Sequence, residues 1–206
     1  MFSQVLLKSL LQSVLAPWSA VLIAGFPKVW ANTPRLLVDP FVLESRSFAP
    51  FRFATDFRTV LASIKLGSHL ENISDQAVII ARRARTLIQE SALEEDDGLT
   101  PIFELVYASL SETLETFSAF DNTRAEKLRR QMEPLAENAQ DSLEKFSDAV
   151  GKNPERSGLH VNLIIMARSL EQIIYLIESI TEDIIYVAEA RDIRHAKNRL
   201  AVENEQ

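Results

Sequence analysis

Apolar residues recur at intervals of three and four along four stretches of the chain, between residues 57 and 190. This spacing places them on one side of an α-helix, so each stretch is predicted to be a helix that buries one seam. The predicted seams are Leu70, Ile73, Ala77, Ile80, Ala84 and Leu87; Phe103, Val106, Leu110, Leu114 and Phe117; Leu128, Met132, Leu135, Ala139, Leu143, Phe146 and Val150; and Leu163, Met166, Leu170, Ile173, Ile177, Ile180, Ile184 and Val187. These stretches show neither the two-residue alternation of a β-strand nor a sequence typical of a hairpin turn. Short connections between long helices predict antiparallel neighbours in an all-α bundle.

Polar and turn-forming sequences separate the four predicted helices. Asp96-Asp97-Gly98 ends the first, and Thr100-Pro101 is predicted to start the second as an N-cap followed by proline at the first helical position. Asp121-Asn122 ends the second, and the sequence from Thr123 to Glu126 has the capping-box pattern that begins a helix. The fourth helix is predicted to run from about residue 159 to about residue 190.

The first fifty residues differ from the rest of the chain. Residues 9–27 carry no charge and are rich in leucine, valine and alanine, which raises the question of a membrane segment. Pro17 interrupts this run and Lys8 is the only basic residue before it, so the pattern favours one or two short helices packed on the body. Export, or contact of residues 1–31 with a membrane surface, are the alternatives. An extended connection is predicted at Pro34, Pro40 and Pro50.

Composition and charge exclude several classes of protein. The 206 residues carry a formal net charge of −7, which argues against sequence-independent binding of nucleic acid. The chain has no cysteine, which excludes disulfides, thiolate zinc sites and cysteine catalysis. His69, His160 and His195 lie far apart in the sequence, and neither a metalloprotease motif nor a glycine-rich phosphate loop is present. We therefore expect a protein that is not an enzyme.

The sequence contains an internal repeat at an offset of one hundred residues. Leu70-Glu71-Asn72-Ile73 corresponds to Leu170-Glu171-Gln172-Ile173. The same offset pairs Ile64 with Ile164, Ile80 with Ile180, and Gly67 with Ala167. A shared core register of this kind indicates duplication and two equivalent sub-bundles. The predicted division is an apolar N-terminal segment at 1–50, a first repeat at 51–122 and a second repeat at 123–206.

These repeated helices resemble those of the PhoU family. The sequence from Ile64 to Arg83, IKLGSHLENISDQAVIIARR, is similar to the family pattern L-K-x-x-x-D-L-E-R-I-x-D-x-A-x-N-I-A, and residues 54–58 resemble V-A-x-D-L-R. In the second half, residues 167–173 resemble A-R-N-L-E-R-I, and residues 181–186 and 191–195 resemble A-E-D-V-I-Y and G-R-D-I-R-H. The resemblance implies tandem PhoU-like helical bundles, two related antiparallel bundles. The family's long acidic first helix has no counterpart in this sequence, so that helix is expected to be atypical or shortened.

An acidic pair on the first repeated helix is the principal candidate site. Glu71 and Asp75 are four residues apart and share an outward face, where they form a partial site for a hard cation or simply a solvated surface. In the family, E/D-x-x-x-D pairs bind metal, and the resemblance implies a divalent or iron/zinc-type ion at Glu71, Asp75 and Glu171. Tyr175 stands where the family has the second aspartate, and tyrosine is a poor ligand for a hard cation. One weak site, or none, is therefore expected rather than a multinuclear cluster.

The function implied by the resemblance is regulation of phosphate uptake and of phosphate-starvation signalling. The chain would be a cytoplasmic, homodimeric adaptor that contacts the ATP-binding subunit of the phosphate transporter and a sensor histidine kinase. Arg168 is a candidate contact with a partner, with a salt bridge to a neighbouring helix as the alternative. Other interpretations are a metal-storing helical protein, a regulator at the membrane surface and a degenerate scaffold.

Overall fold

Four long helices make up the part of the chain that the computed structural model describes, residues 50–90 and 98–190, with side chains from residue 57 onwards. They are α1 (Pro50–Gln89), α2 (Thr100–Ala119), α3 (Asn122–Lys152) and α4 (Ser157–Glu189), with one turn of 3-10 helix at Pro154–Arg156. These described residues contain no β-strand, and the prediction of an all-α protein is confirmed.

The last helix, α4, lies at the centre of the described structure. It packs against α1, α2 and α3, whereas α1 has α4 as its main partner among the described elements. Consecutive residues of α4 are buried, as at Ile173 and Ile174 and again at Ile184 and Ile185, which shows that more than one side of this helix is covered. On α1 the fully buried positions follow a single seam instead. That seam consists of Ala62, Leu66, Leu70, Ile73, Ile80 and Leu87.

Most of the predicted seam residues are buried, with a few corrections. Half-buried rather than buried positions are Ala77, Ala84, Phe103, Leu143, Val150 and Met166. Ile80 and Ile180 share the core register as predicted, but Ile64 is 67% exposed and does not belong to the core. The buried residues that the apolar pattern missed include Thr113 and Thr116. Each hydroxyl donates a 2.7 Å hydrogen bond to a carbonyl one turn earlier in α2, which satisfies its polar group inside the core.

The structure corrects three predicted helix starts. The N-cap of α2 is Leu99, with no side-chain capping bond, and Thr100 is the first helical residue. The N-cap of α3 is Asp121, whose carboxylate accepts a 3.1 Å hydrogen bond from the backbone N–H of Arg124. The predicted capping box from Thr123 to Glu126 is therefore inside the helix and is wrong as a start. Pro50 begins α1 instead of extending the connection before it, because a missing N–H costs nothing at the first helical position.

A tight reversal joins α2 to α3. Phe120 adopts a left-handed backbone with φ of 47° and donates its N–H to the carbonyl of Phe117, while Asp121 donates to the carbonyl of Thr116. The rings of Phe117 and Phe120 lie 5.1 Å apart, so the turn is also held by an aromatic contact. Only two residues connect these helices, which makes them antiparallel neighbours as predicted.

Predictions about the N-terminal segment fall outside the described residues, including the helices proposed for residues 9–27, the membrane contact of residues 1–31, and the turns at Pro34 and Pro40. Within residues 50–90 and 98–190, none of the helices combines the length and apolar character that crossing a bilayer requires. The predicted boundary between the repeats, at residues 122 and 123, coincides with the start of α3. The division into domains stays a prediction.

Candidate functional site

Equivalent glutamates of the two repeated helices lie in different surroundings. Glu71 on α1 is exposed, whereas Glu171 on α4 is only 5% exposed. The difference follows from packing, because α4 is covered on several sides and α1 buries one seam. The repeat is therefore preserved in sequence while its two acidic positions have different environments.

On α1, Glu71 and Asp75 are both exposed and one helical turn apart, as predicted. A hard cation such as Mg²⁺ or Ca²⁺ takes six or more oxygen ligands. In the described parts of the chain, no group of three or more acidic or imidazole side chains is arranged to hold a metal ion. The pair fits a cation only in part, and water or a partner would have to supply the remaining ligands.

On α4, both oxygens of Glu171 are engaged by side chains of the same helix. Arg168 donates from Nη1 to Oε2, and the hydroxyl of Tyr175 donates to Oε1 at 3.4 Å. Among the described residues the ion pair of Arg168 is thus formed within α4, and not with one of the other three described helices. Arg168 keeps 65% of its side chain exposed despite this contact. Glu171 does not fit the open, unpaired carboxylate that a metal site needs.

A third cluster, Lys65, His69 and Asp183, joins α1 to α4. The carboxylate of Asp183 is 5% exposed; Lys65 Nζ donates to its Oδ1 at 2.8 Å, and His69 Nε2 lies 3.5 Å from its Oδ2. Burial acts to raise the pKa of Asp183, but the contacts with His69 and Lys65 outweigh it, and the pKa is lowered below its ordinary value. We call these three residues the interhelix cluster.

Sequence reasoning missed the interhelix cluster. His69 is half-buried and lies against Asp183, a contact that its position in the sequence does not indicate. Lys65 and His69 are four residues apart and share a face of α1, which is the only local signal. Their partner lies more than a hundred residues further along the chain. His160 is half-buried near the start of α4, and His195 is outside the described residues.

Sequence relatives of this chain are PhoU homologues. No family model matches the sequence. A protein of Pseudomonas aeruginosa described as "Phosphate-specific transport system accessory protein PhoU homolog" is 28% identical over 145 residues, which cover 69% of this chain and 59% of that protein. A protein of Pseudomonas putida with the same description is 27% identical over 145 residues, covering 69% of this chain and 56% of that protein. The chain therefore spans less than two thirds of the length of these relatives.

Similar solved structures are also PhoU proteins. The crystal structure of PhoU from Pseudomonas aeruginosa superposes with a TM-score of 0.66 at 22% identity, covering 91% of this chain and 94% of that one. The phosphate transport system regulatory protein PhoU from Streptococcus pneumoniae gives a TM-score of 0.63 at 18% identity, covering 92% and 98%. At these identities the structures establish the fold alone, and the sequence relatives add a similarity to PhoU homologues over 145 residues. The predicted resemblance to PhoU proteins is confirmed by the sequence relatives, and the predicted PhoU-like helical fold is confirmed by the solved structures.

Proposed function

We propose that this protein is a regulatory adaptor that acts on phosphate uptake and phosphate-starvation signalling by binding other proteins. The observation that carries the proposal is the sequence relation, over 145 residues, to accessory proteins of the phosphate-specific transport system. The fold agrees with such a role, because long packed helices present extended, rigid surfaces without requiring a catalytic pocket. The action is proposed to be non-catalytic.

The proposed partners follow the resemblance stated above. They are the ATP-binding subunit of the phosphate transporter and a sensor histidine kinase, both met in the cytoplasm by a homodimer of this chain. Binding to these partners is expected to lower phosphate uptake and to suppress phosphate-starvation signalling while phosphate is plentiful.

The exposed side of α4 is the surface that best suits such a contact. The side chain of Arg168 is 65% exposed and Tyr175 is 46% exposed, although α4 is otherwise the most covered of the four helices. Arginine and tyrosine are the residue types that most often dominate binding energy at protein interfaces. The pairing of Arg168 with Glu171 also holds its guanidinium in place, which lowers the entropy lost on binding.

Replacing Arg168 by alanine should weaken retention of the transporter subunit or the kinase roughly tenfold, about 1.4 kcal/mol of binding free energy. The measurement is quantitative affinity purification of the tagged full chain from phosphate-rich cells, followed by a phosphate-responsive reporter in a deletion strain complemented with each variant. Arg130→Ala is the matched control, since Arg130 is also exposed and pairs within its own helix, with Glu126 at 3.6 Å. The control should behave as the unaltered protein.

Two results would contradict the proposed adaptor role. One is the absence of either partner from the purified material in both phosphate-rich and phosphate-starved cells. The other is an unchanged phosphate response after deletion of the gene. If partners are retained but Arg168→Ala and Arg130→Ala behave alike, the adaptor role stands and Arg168 is not its contact.

A second candidate function is binding of a single hard cation at Glu71 and Asp75, which the exposure of both carboxylates favours. If it is correct, elemental analysis of the purified chain should find metal, and the double variant Glu71→Gln/Asp75→Asn should lose most of it. The control is Glu112→Gln, which removes a carboxylate from another helix. Equal metal content in the double variant and the control would exclude this site.

A further inference from the structure

The surroundings of Glu171 set the second repeat apart from the first. Positions one helical turn from Glu171, in either direction, hold Ala167, Arg168, Ile174 and Tyr175. None of them offers an oxygen that a hard cation binds readily. The equivalent positions around Glu71 hold Gly67, Ser68, Ser74 and Asp75, and three of these carry oxygen. Only the first repeat thus retains oxygen ligands beside its glutamate.

Charge also opposes a metal ion at Glu171. The guanidinium of Arg168 is hydrogen-bonded to Oε2, so a cation on that oxygen would lie within a few ångströms of a fixed positive charge. The other oxygen, Oε1, accepts from the Tyr175 hydroxyl. Glu171 is buried, and a buried carboxylate needs a counterion or hydrogen bonds, which these two side chains already supply.

We propose that Arg168 is the permanent counterion of Glu171, at the place where the family pattern implies a metal ion. An arginine also occurs in the family's A-R-N-L-E-R-I pattern, so the decisive difference is Tyr175, which replaces the second carboxylate by a hydrogen-bond donor. With one carboxylate instead of two, a single guanidinium balances the charge. The Glu171 position of α4 is therefore independent of metal, unlike the acidic pair of Glu71 and Asp75 on α1.

Titration of the purified full chain with Mn²⁺, followed by electron paramagnetic resonance, tests this assignment. Glu171→Gln should bind the same number of Mn²⁺ ions as the unaltered protein. The affinity for these ions should differ by less than twofold. The double variant Arg168→Gln/Tyr175→Asp restores two free carboxylates one turn apart, and it should bind Mn²⁺ at least tenfold more tightly than Arg168→Gln alone. Loss of one Mn²⁺ equivalent in Glu171→Gln would overturn the proposal, and so would equal binding by the double variant and Arg168→Gln.

The melting temperature provides a second measurement, which reports the stability of the fold instead of the amount of bound metal. Removing the counterion with Arg168→Gln should lower the melting temperature by a few degrees, equally in Mn²⁺ and in EDTA. If EDTA destabilises the unaltered protein more than it destabilises Tyr175→Phe or Glu171→Gln, a metal ion is held at this position and the proposal is wrong. Neither experiment involves a partner protein, so its outcome is separate from that of the proposed adaptor role.

Discussion

Ile173→Ala should lower the free energy of unfolding by roughly 2–5 kcal/mol, the range for truncating a large aliphatic side chain in a packed core. Ile173 is completely buried on α4, the helix that packs against α1, α2 and α3. A cavity there removes packing contacts from the helix on which the other three pack, and packed neighbours relax into it only in part. Urea denaturation followed by far-ultraviolet circular dichroism measures the change.

Two further variants make this result specific to the core. Ile173→Val removes a single methylene and should cost roughly 0.5–1.5 kcal/mol. Val161→Ala shortens an exposed side chain of the same helix and should leave the unfolding free energy almost unchanged. If Val161→Ala lowers the free energy of unfolding as much as Ile173→Ala does, the side of α4 described as exposed is in fact covered.

The sequence was sufficient to predict the helices because their signal is local. Apolar residues at three- and four-residue spacing reveal which side of a helix faces the core, and Leu70, Ile73, Ile173 and Ile177 are buried as their spacing predicts. The error at Ile64 has a local cause too. An apolar residue was assigned to the core because it matched the repeat, although it lies outside the three- and four-residue spacing of the α1 seam.

The candidate sites were predictable only where one helix contains the whole site. Glu71 and Asp75 are both exposed because four-residue spacing within α1 fixes their common face. Burial of Glu171 depends on which helices cover α4, and these contacts between helices cannot be predicted from the sequence pattern. The contact of Lys65 and His69 with Asp183 depends on the register between two helices that are distant in the chain. Tertiary packing, not helix periodicity, decides both features.

The interhelix cluster gives the second large expected effect. Asp183→Ala should lower the free energy of unfolding by roughly 2 kcal/mol, because it removes a buried carboxylate that accepts a charged hydrogen bond. The cost stays below that of breaking a fully buried ion pair, since the remaining Lys65 is 41% exposed and can turn to water. Asp148→Ala is the control, because Asp148 and Lys152 form an exposed pair at 3.7 Å on α3. That control should be nearly neutral.

The effect of removing the charge of Asp183, here with Asp183→Asn, should also depend on pH in a defined direction. The pKa of Asp183 is lower in the folded protein than its ordinary value, so its ionised form favours folding. This contribution is complete above the unfolded-state pKa of about 3.9 and disappears as the pH falls through the folded-state value. The difference in unfolding free energy between the unaltered protein and Asp183→Asn should therefore be constant near neutral pH and shrink below about pH 4. A difference that grows on acidification would mean that Asp183 is protonated in the fold, and that Lys65 and His69 do not hold it ionised between the two repeated helices.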